Sequence, residues 1–348
     1  MGLGDRRLKA VKGVFALLLA AVLATGLAGC DLFARGDQGS PVDPAELRFP
    51  EPPPLARPGD AVRLGRLYYP DSQWRFLVPV QREIPYQEAI ARVTLQQLIP
   101  DSTLQESLQR YGLAFPLPAQ TEVRGINIRD GLARVDLNEI FLDYPAERER
   151  LVLGSLLCTL RQFPTVEQVE IVVQGEYVKE FPGGTPGRLP LGPECWINLE
   201  VESELEDYRN FTALELYYCY LAPAGVIFYV PVTRIIPATE KVVEALLEEL
   251  LEGPPRESGL FSEIPAGTTV RGVSLEEGLL KVDFSRELLE YQGGKTGAEN
   301  LVNQILLTLG TLEEVEQVQI LVEGEAPQLK DGVDLTRPLE PPAVYNYF

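Results

Sequence analysis

An α+β fold, built from two tandem repeats of a ββαββαβ module with helices packed on one face of a mixed sheet, is predicted by three observations. The stretch VRGINIRDGLARVDL begins at Val123 and returns at Val270 as VRGVSLEEGLLKVDF, with seven of fifteen positions identical. Around both stretches, alternating and helically spaced apolar runs follow in the same order. A chain of 348 residues has room for two such modules, each with its own core.

Each module opens with two runs rich in aromatic and β-branched residues, which predict a pair of strands. These runs are VRLGRLYYP and WRFLVPVQREI in the first module, and ALELYYCY and VIFYVPVTRII in the second. The second run of each pair contains Val-Pro-Val, at 78–80 and 230–232. Because proline cannot donate a hydrogen bond to a sheet, both of these strands are predicted to lie at an edge.

A helix is predicted after each strand pair, in YQEAIARVTLQQLI and in ATEKVVEALLEELLEG. In the second of these, apolar residues recur at helical spacing and the glutamates lie largely on the opposite side. The glutamates could suggest a cation site. In a protein this acidic, we interpret them as solvated surface.

A β-hairpin is predicted in both copies of the repeated stretch, because alternating runs flank Asp130-Gly131 and Glu277-Gly278. Gly131 and Gly278 can adopt the positive φ that such a turn requires. Gly125 and Gly272 lie inside the first strand of each hairpin, where a glycine indicates a bulge or a close approach of other backbone.

Asp136 and Asp283 end the second strand of each hairpin and leave two interpretations open. An acid present in both copies could be a catalytic carboxylate. Alternatively, these aspartates satisfy backbone N–H groups where the strand becomes a turn. We favour the structural interpretation and assign no catalytic residue.

A second helix and a closing strand, VEQVEIVVQGE or VEQVQILVEGE, complete each module. The modules are predicted to span 62–180 and 212–330. Residues 181–211 are first rich in proline and glycine and then acidic, which predicts a linker. Residues 331–348 form a C-terminal tail whose aromatic side chains could pack on the second module or contact a partner.

Residues 1–29 are predicted to be an export signal, because four basic residues precede an uncharged apolar run. The run ends in LAGC, which resembles the lipobox of bacterial lipoproteins and implies cleavage before Cys30 and acylation of that residue. The alternative is an ordinary cysteine after a signal peptide. Several acyl chains would anchor the protein stably to the outer face of the cell membrane, and the proline-rich stretch 30–61 would be a tether.

Nucleic acid is excluded as a partner by the charge of the chain. Removal of residues 1–29, which hold one acidic and four basic side chains, changes the formal net charge from −20 to −23. A surface of this sign repels phosphates and cannot release their counterions.

The remaining cysteines are Cys158, Cys195 and Cys219. Cys158 lies in an apolar helical pattern and is interpreted as a core residue. A Cys195–Cys219 disulfide could form, because export permits disulfides. The spacing of these residues does not match that of paired metal ligands, so neither a metal nor a cofactor is predicted.

The order of motifs in two copies resembles the GerM family, exported lipoproteins with tandem GerMN domains in endospore-forming bacteria. The resemblance is carried by LPAQTEV and IPAGTTV (117–123 and 264–270), by the Arg-Gly, Gly and Val-Asp that follow, and by VEQVEIVVQG and VEQVQILVEG (166–175 and 315–324). It departs at Gln120, where the second copy has Gly267. The resemblance implies a role in sporulation or germination, in a fold similar to ring-building modules of secretion machinery.

The sequence leaves three classes of function to distinguish. The chain contains no histidine, which excludes Ser-His-Asp and Cys-His machinery and histidine-ligated zinc, so an enzyme is disfavoured. The leading prediction is a scaffold that binds envelope or sporulation proteins and could also form homo-oligomers, since duplicated surfaces can bind neighbours multivalently. The alternative is a ligand-binding or sensory lipoprotein that recognises a cell-wall fragment or small molecule.

Overall fold

The computed structural model describes residues 62–85, 89–192, 197–201, 210–329 and 333–348. The predicted signal peptide, the lipidation at Cys30 and the tether all lie outside these residues, and so does Cys195. In the described part of the chain, no helix is long and apolar enough to cross a membrane.

In its described residues, the first module has five strands and three α-helices. In chain order these are β1 (Val62–Pro70), β2 (Leu77–Pro85), α1 (Ile90–Gln96), α2 (Ser102–Arg110), β3 (Val123–Arg129), β4 (Leu132–Leu137), α3 (Glu149–Leu160) and β5 (Gln168–Val173). A two-residue strand, β6 (Glu200–Val201), follows in the linker.

The second module repeats this order with one helix fewer. Its elements are β7 (Phe211–Leu221), β8 (Ile227–Pro237), α4 (Val242–Glu252), β9 (Val270–Glu276), β10 (Leu279–Phe284), α5 (Gly294–Leu309) and β11 (Gln317–Val322). The predicted α+β class and the repeated module are therefore confirmed.

The strands of each module form two sheets instead of one. An antiparallel hairpin, β1–β2 or β7–β8, is separate from a three-stranded mixed sheet. In that sheet the central strand pairs antiparallel with β3 or β9 and parallel with β5 or β11. Helix α3 packs against both β1 and β5, so it joins the two sheets of the first module.

Helix α2 is an addition to the first module that the sequence reading missed. The Asp101 carboxylate accepts a hydrogen bond from the Thr103 backbone N–H at 2.7 Å and caps the helix. A Pro-Asp-Ser-Thr sequence is a recognisable helix start, so the signal was present.

The edge position predicted from Pro231 is wrong for β8, which lies between β6 and β7. The reason is local. Strand β6 pairs only with Arg234 and Ile235, beyond the proline, so no ladder hydrogen bond is required from residue 231. Strand β2, which carries Pro79, does lie at the edge of its two-stranded sheet.

One continuous core of buried apolar side chains extends through both modules. Aromatic pairs cross the boundary: the ring centroids of Phe76 and Tyr220 are 5.3 Å apart, and those of Tyr111 and Phe228 are 5.7 Å apart. The hairpins of the two modules therefore pack against each other through buried surface.

Candidate interaction site at the module junction

Strands β2 and β8 lie beside each other where the modules meet, and Asn198 bridges them. Its Oδ1 accepts a hydrogen bond from the Leu77 N–H at 2.7 Å, and its Nδ2 donates to the Leu77 and Pro231 carbonyl oxygens at 2.8 Å each. One side chain from the linker thus contacts both modules.

Asn346 in the tail makes the reciprocal bridge. Its Oδ1 accepts from the Tyr229 N–H at 2.8 Å, and its Nδ2 donates to the carbonyl oxygens of Tyr229 at 2.6 Å and Pro79 at 2.7 Å. The two bridges are related by a pseudo-twofold exchange of the modules. We call Asn198 and Asn346 the asparagine clasp.

The chemistry of the clasp explains the choice of residue. Both asparagines are 7 % exposed and adopt a positive φ, 48° for Asn198 and 52° for Asn346. Asparagine tolerates this conformation better than most residues. Its amide carries N–H donors and a C=O acceptor, as a peptide group does. It can therefore supply the hydrogen-bond donor that proline lacks in these two strands.

The tail packs between the modules, so its contacts extend to the first module as well as to the second. The Gln81 N–H donates to the Asn346 carbonyl oxygen at 2.9 Å, and the Tyr345 N–H donates to Gln81 Oε1 at 2.7 Å. A parallel bridge joins Gln81 and Tyr347. The tail of the second module therefore binds the first module, as the linker binds the second.

The positive charge of Arg234 on β8 is balanced by two carboxylates. Its Nη2 donates to Glu200 Oε2 at 2.9 Å, and its Nη1 donates to Glu249 Oε2 at 2.9 Å. It also donates to the carbonyl oxygens of Glu249 and Gly253. Burial raises the pKa of Glu200, and Arg234 opposes that rise.

The repeated aspartates lie in separate modules, each opposite its own glycine. Asp136 pairs in register with Gly125, and Asp283 with Gly272. Asp136 Oδ1 accepts from the Gly175 N–H at 2.8 Å, and Asp283 Oδ1 accepts from Gly324 at 2.8 Å.

Each aspartate also faces an arginine. Arg124 Nε lies 3.3 Å from Asp136, and Arg271 Nε lies 4.0 Å from Asp283. These contacts fix the turn after the closing strand, which is a structural task. Among the described residues, no group of three acidic or cysteine side chains could hold a metal ion.

The four glycines divide into two types. Gly131 and Gly278 have φ values of 80° and 81° at the hairpin turns. Gly125 and Gly272 lie at register shifts, and a Cβ there would meet nothing within 4 Å. The structure therefore favours the bulge over the close approach.

A cleft of about 380 Å³ lies between β8, α5 and the tail. Its lining includes Phe228, Tyr229, Glu299, Asn303 and Tyr345. Behind it, the Tyr229 hydroxyl donates to Asn300 at 3.0 Å and accepts from Asn303 at 3.1 Å. The cleft is concave and aromatic, although it belongs to one module and the tail.

Cys219 lies in the same interior, where its Sγ is 4.0 Å from Gln304 Oε1. Burial raises the pKa of its thiol, and no described cysteine forms a disulfide with it. The Cys195–Cys219 disulfide stays a prediction, because Cys195 lies outside the described residues. Cys158 is half-buried in α3.

Each module also presents an open edge strand with an exposed aliphatic side chain. Ile128 on β3 is 36 % exposed and Leu275 on β9 is 37 % exposed. Both strands end their sheets, and within the described ranges neither has a second strand partner. Unpaired edges of this kind are templates for strand addition by another chain.

The sequence reading missed the clasp and the arginine that follows each Val-Pro-Val. A signal for the arginine was present, because VPVQR and VPVTR share Val-Pro-Val-x-Arg at 78–82 and 230–234. No comparable local pattern marks the asparagines.

Comparison with known proteins points to one group. A family model described as "Germane: Sporulation and spore germination" matches residues 66–179 and 215–328. The spore germination protein GerM of Bacillus subtilis (strain 168) is 30 % identical over 277 residues, which cover 78 % of this chain and 75 % of that protein.

The fold has a solved counterpart. The tandem GerMN domains of the sporulation protein GerM from Bacillus subtilis superpose with a TM-score of 0.69 at 27 % identity. The match covers 82 % of this chain and 99 % of that structure, so the tandem arrangement is common to both.

Proposed function

Because this chain belongs to the Germane family of sporulation and spore germination proteins, we propose that it is a non-catalytic lipoprotein that acts as a protein-interaction scaffold in an envelope assembly. The assembly would operate in sporulation or spore germination. Lipidation at Cys30 would hold the protein on the outer face of the cell membrane, and the stretch up to residue 61 would set its distance from the bilayer.

The observation that carries the scaffold role is the repeated open edge. Strands β3 and β9 each offer unpaired backbone groups and an exposed aliphatic residue, Ile128 or Leu275. The asparagine clasp and the continuous core support a fixed distance between these edges. Two rigidly spaced sites on one chain raise the effective concentration of the second binding event.

The test is affinity capture of the lipidated protein from detergent-solubilised membranes of sporulating and growing cells. We expect near-stoichiometric envelope proteins in sporulating cells only. The double variant Ile128→Lys/Leu275→Lys should lose them, because lysine on an edge strand opposes strand addition.

Leu289→Lys is the matched control, since Leu289 is 40 % exposed and lies outside any strand. Its capture should equal that of the wild type. Recovery of the wild-type protein alone, in both kinds of cell, would overturn the scaffold role.

The second candidate, ligand binding, is favoured by the aromatic cleft behind the tail. Soluble cell-wall fragments would be titrated by calorimetry against the wild type and Asn303→Leu. Saturable binding that Asn303→Leu removes, together with capture of no partner, would replace the scaffold by a ligand-binding protein.

A further inference from the structure

Arg82 on β2 is the counterpart of Arg234 on β8. Each lies three residues after the strand proline, Pro79 or Pro231. The equivalence extends to the neighbouring aromatic residues, because the Tyr69 hydroxyl donates to the Gln97 carbonyl oxygen at 2.9 Å. In the second module, Tyr218 donates to the Glu249 carbonyl oxygen at 3.0 Å.

Both carboxylates that bind Arg234 are replaced around Arg82. Gln97 takes the position of Glu249, so the side chain that would bear the charge is neutral. Phe348 takes the position of Glu200, since each is two residues after its clasp asparagine on a segment parallel to the strand. The first module keeps the cation and has neither of the two glutamate side chains.

The guanidinium of Arg82 accordingly has no carboxylate partner among the described residues, although it interacts with the Tyr69 hydroxyl. Among the described residues its Nη1 is buried and has no hydrogen-bond partner. Its Cζ lies 5.8 Å from the Phe348 ring centroid, and no described carboxylate forms an ion pair with it. A buried donor on a cation is unfavourable when it has no acceptor. In a chain of net charge −20, such a cation is unusual.

Beyond Phe348, the backbone of β2 has no further strand partner on this side among the described residues. Glu200 and Val201 pair in parallel with Arg234 and Ile235 in the second module. Along the same side of β2, the described contacts stop at the Gln81–Tyr347 bridge. The first module thus offers an arginine and a strand edge where the second module already holds an acidic, extended segment of its own.

We infer that Arg82 is the docking point for a carboxylate side chain of a partner protein, presented on an extended segment that continues along β2. A peptide is favoured over other carboxylates because the strand edge beside Arg82 can bind a backbone. This inference rests on the proposed scaffold function and specifies the chemistry of one of its contacts.

The probe is a fluorescein-labelled, end-blocked peptide EVGSV, in which Glu-Val repeats residues 200–201 and the counterparts of the bound tail residues are left out. Its anisotropy is measured on the full-length protein in detergent, against the same peptide with Glu replaced by Gln. We expect the Glu peptide to bind at least tenfold more tightly, because only its carboxylate compensates Arg82.

Two variants test the residue. Arg82→Gln should weaken the Glu peptide at least tenfold. Gln97→Glu restores the carboxylate found at Glu249, so it should raise the melting temperature and block the peptide. Arg110→Gln removes an equal charge from the exposed last turn of α2 in the same module and should leave binding within twofold of the wild type.

Equal binding of the two peptides, wild-type binding by Arg82→Gln, or no binding of either peptide at millimolar concentration would each overturn the inference. A peptide that binds at β8 by displacing the linker would still bind to Arg82→Gln. This variant therefore distinguishes binding at β8 from docking at β2. If neither peptide binds while sporulation partners are still captured, the scaffold function is retained and only the proposed contact at Arg82 is refuted.

Discussion

Asn198 and Asn346 act as isolated peptide groups inserted between two strands. Each is buried and satisfies main-chain groups of both modules, including the carbonyl oxygens of Pro231 and Pro79. Buried main-chain groups that lose their partner become unfavourable. The clasp is therefore expected to contribute strongly to stability.

Asn346→Ala should lower the free energy of unfolding by about 2–4 kcal/mol, because it removes the three buried hydrogen bonds that Asn346 makes with Tyr229 and Pro79. Urea unfolding followed by circular dichroism measures the change. Asn127→Ala, on exposed β3, should stay within about 0.5 kcal/mol of the wild type. Equal stability of the two variants would contradict a structural role for the clasp.

Glu263 shows the opposite balance, because it is a half-buried acid that forms no ion pair with a described cation. Burial raises its pKa, and the hydrogen bond that Asn300 donates at 3.1 Å opposes the rise. The folded pKa lies above the unfolded value. The stabilising contribution is therefore complete below the unfolded pKa and is lost as the pH rises through the folded pKa.

Glu263→Gln should make the protein more stable than the wild type at pH 7 and equally stable near pH 4. Glutamine keeps the oxygen that Asn300 binds and cannot ionise. Melting temperatures at a series of pH values measure the effect, with exposed Glu276→Gln as the control. A stability difference that does not depend on pH would refute the assignment.

The repeated hairpins show which elements the sequence specifies locally. Asp130-Gly131 and Glu277-Gly278 have positive φ at both turn positions, so a pair of adjacent residues predicted each turn. The second predicted feature, the bulge at Gly125 and Gly272, also depends on neighbouring residues.

Gly131→Ala should destabilise the protein by about 1–2 kcal/mol, since alanine at φ 80° is strained. Its Cβ would also lie 3.1 Å from the Glu167 side chain. Gly125→Ala is the matched control, because its Cβ meets nothing within 4 Å. We expect its effect on unfolding in urea to be about 0.5 kcal/mol or less. The reverse order of the two variants would contradict this division.

The parts of the fold that escaped prediction depend on residues far apart in the sequence. Asn198 is 121 residues from Leu77, and Asn346 is 267 residues from Pro79. No turn signal or hydrophobic period records such a contact. The carboxylates that bind one of the two equivalent arginines are also contacts that no local pattern records. The arginine shared by the two strands therefore did not predict that only one copy has carboxylate partners.

The pairing of the two modules makes one cooperative unit out of a duplicated sequence. A continuous core extends across the boundary, and the linker and tail each bind the opposite module. Breaking one module therefore exposes buried surface of the other. Small units with shared buried surface unfold together, whereas independent repeats unfold in steps.

We therefore expect the wild-type protein to unfold in a single calorimetric transition, with calorimetric and van't Hoff enthalpies in agreement. Asn198→Ala/Asn346→Ala should divide or broaden this transition, because the hydrogen bonds through which the two asparagines join β2 to β8 are lost while each module keeps its own sheets. The Asn127→Ala control should retain one transition. Two resolved transitions in the wild type, or a single sharp one in the double variant, would show that the clasp does not couple the modules.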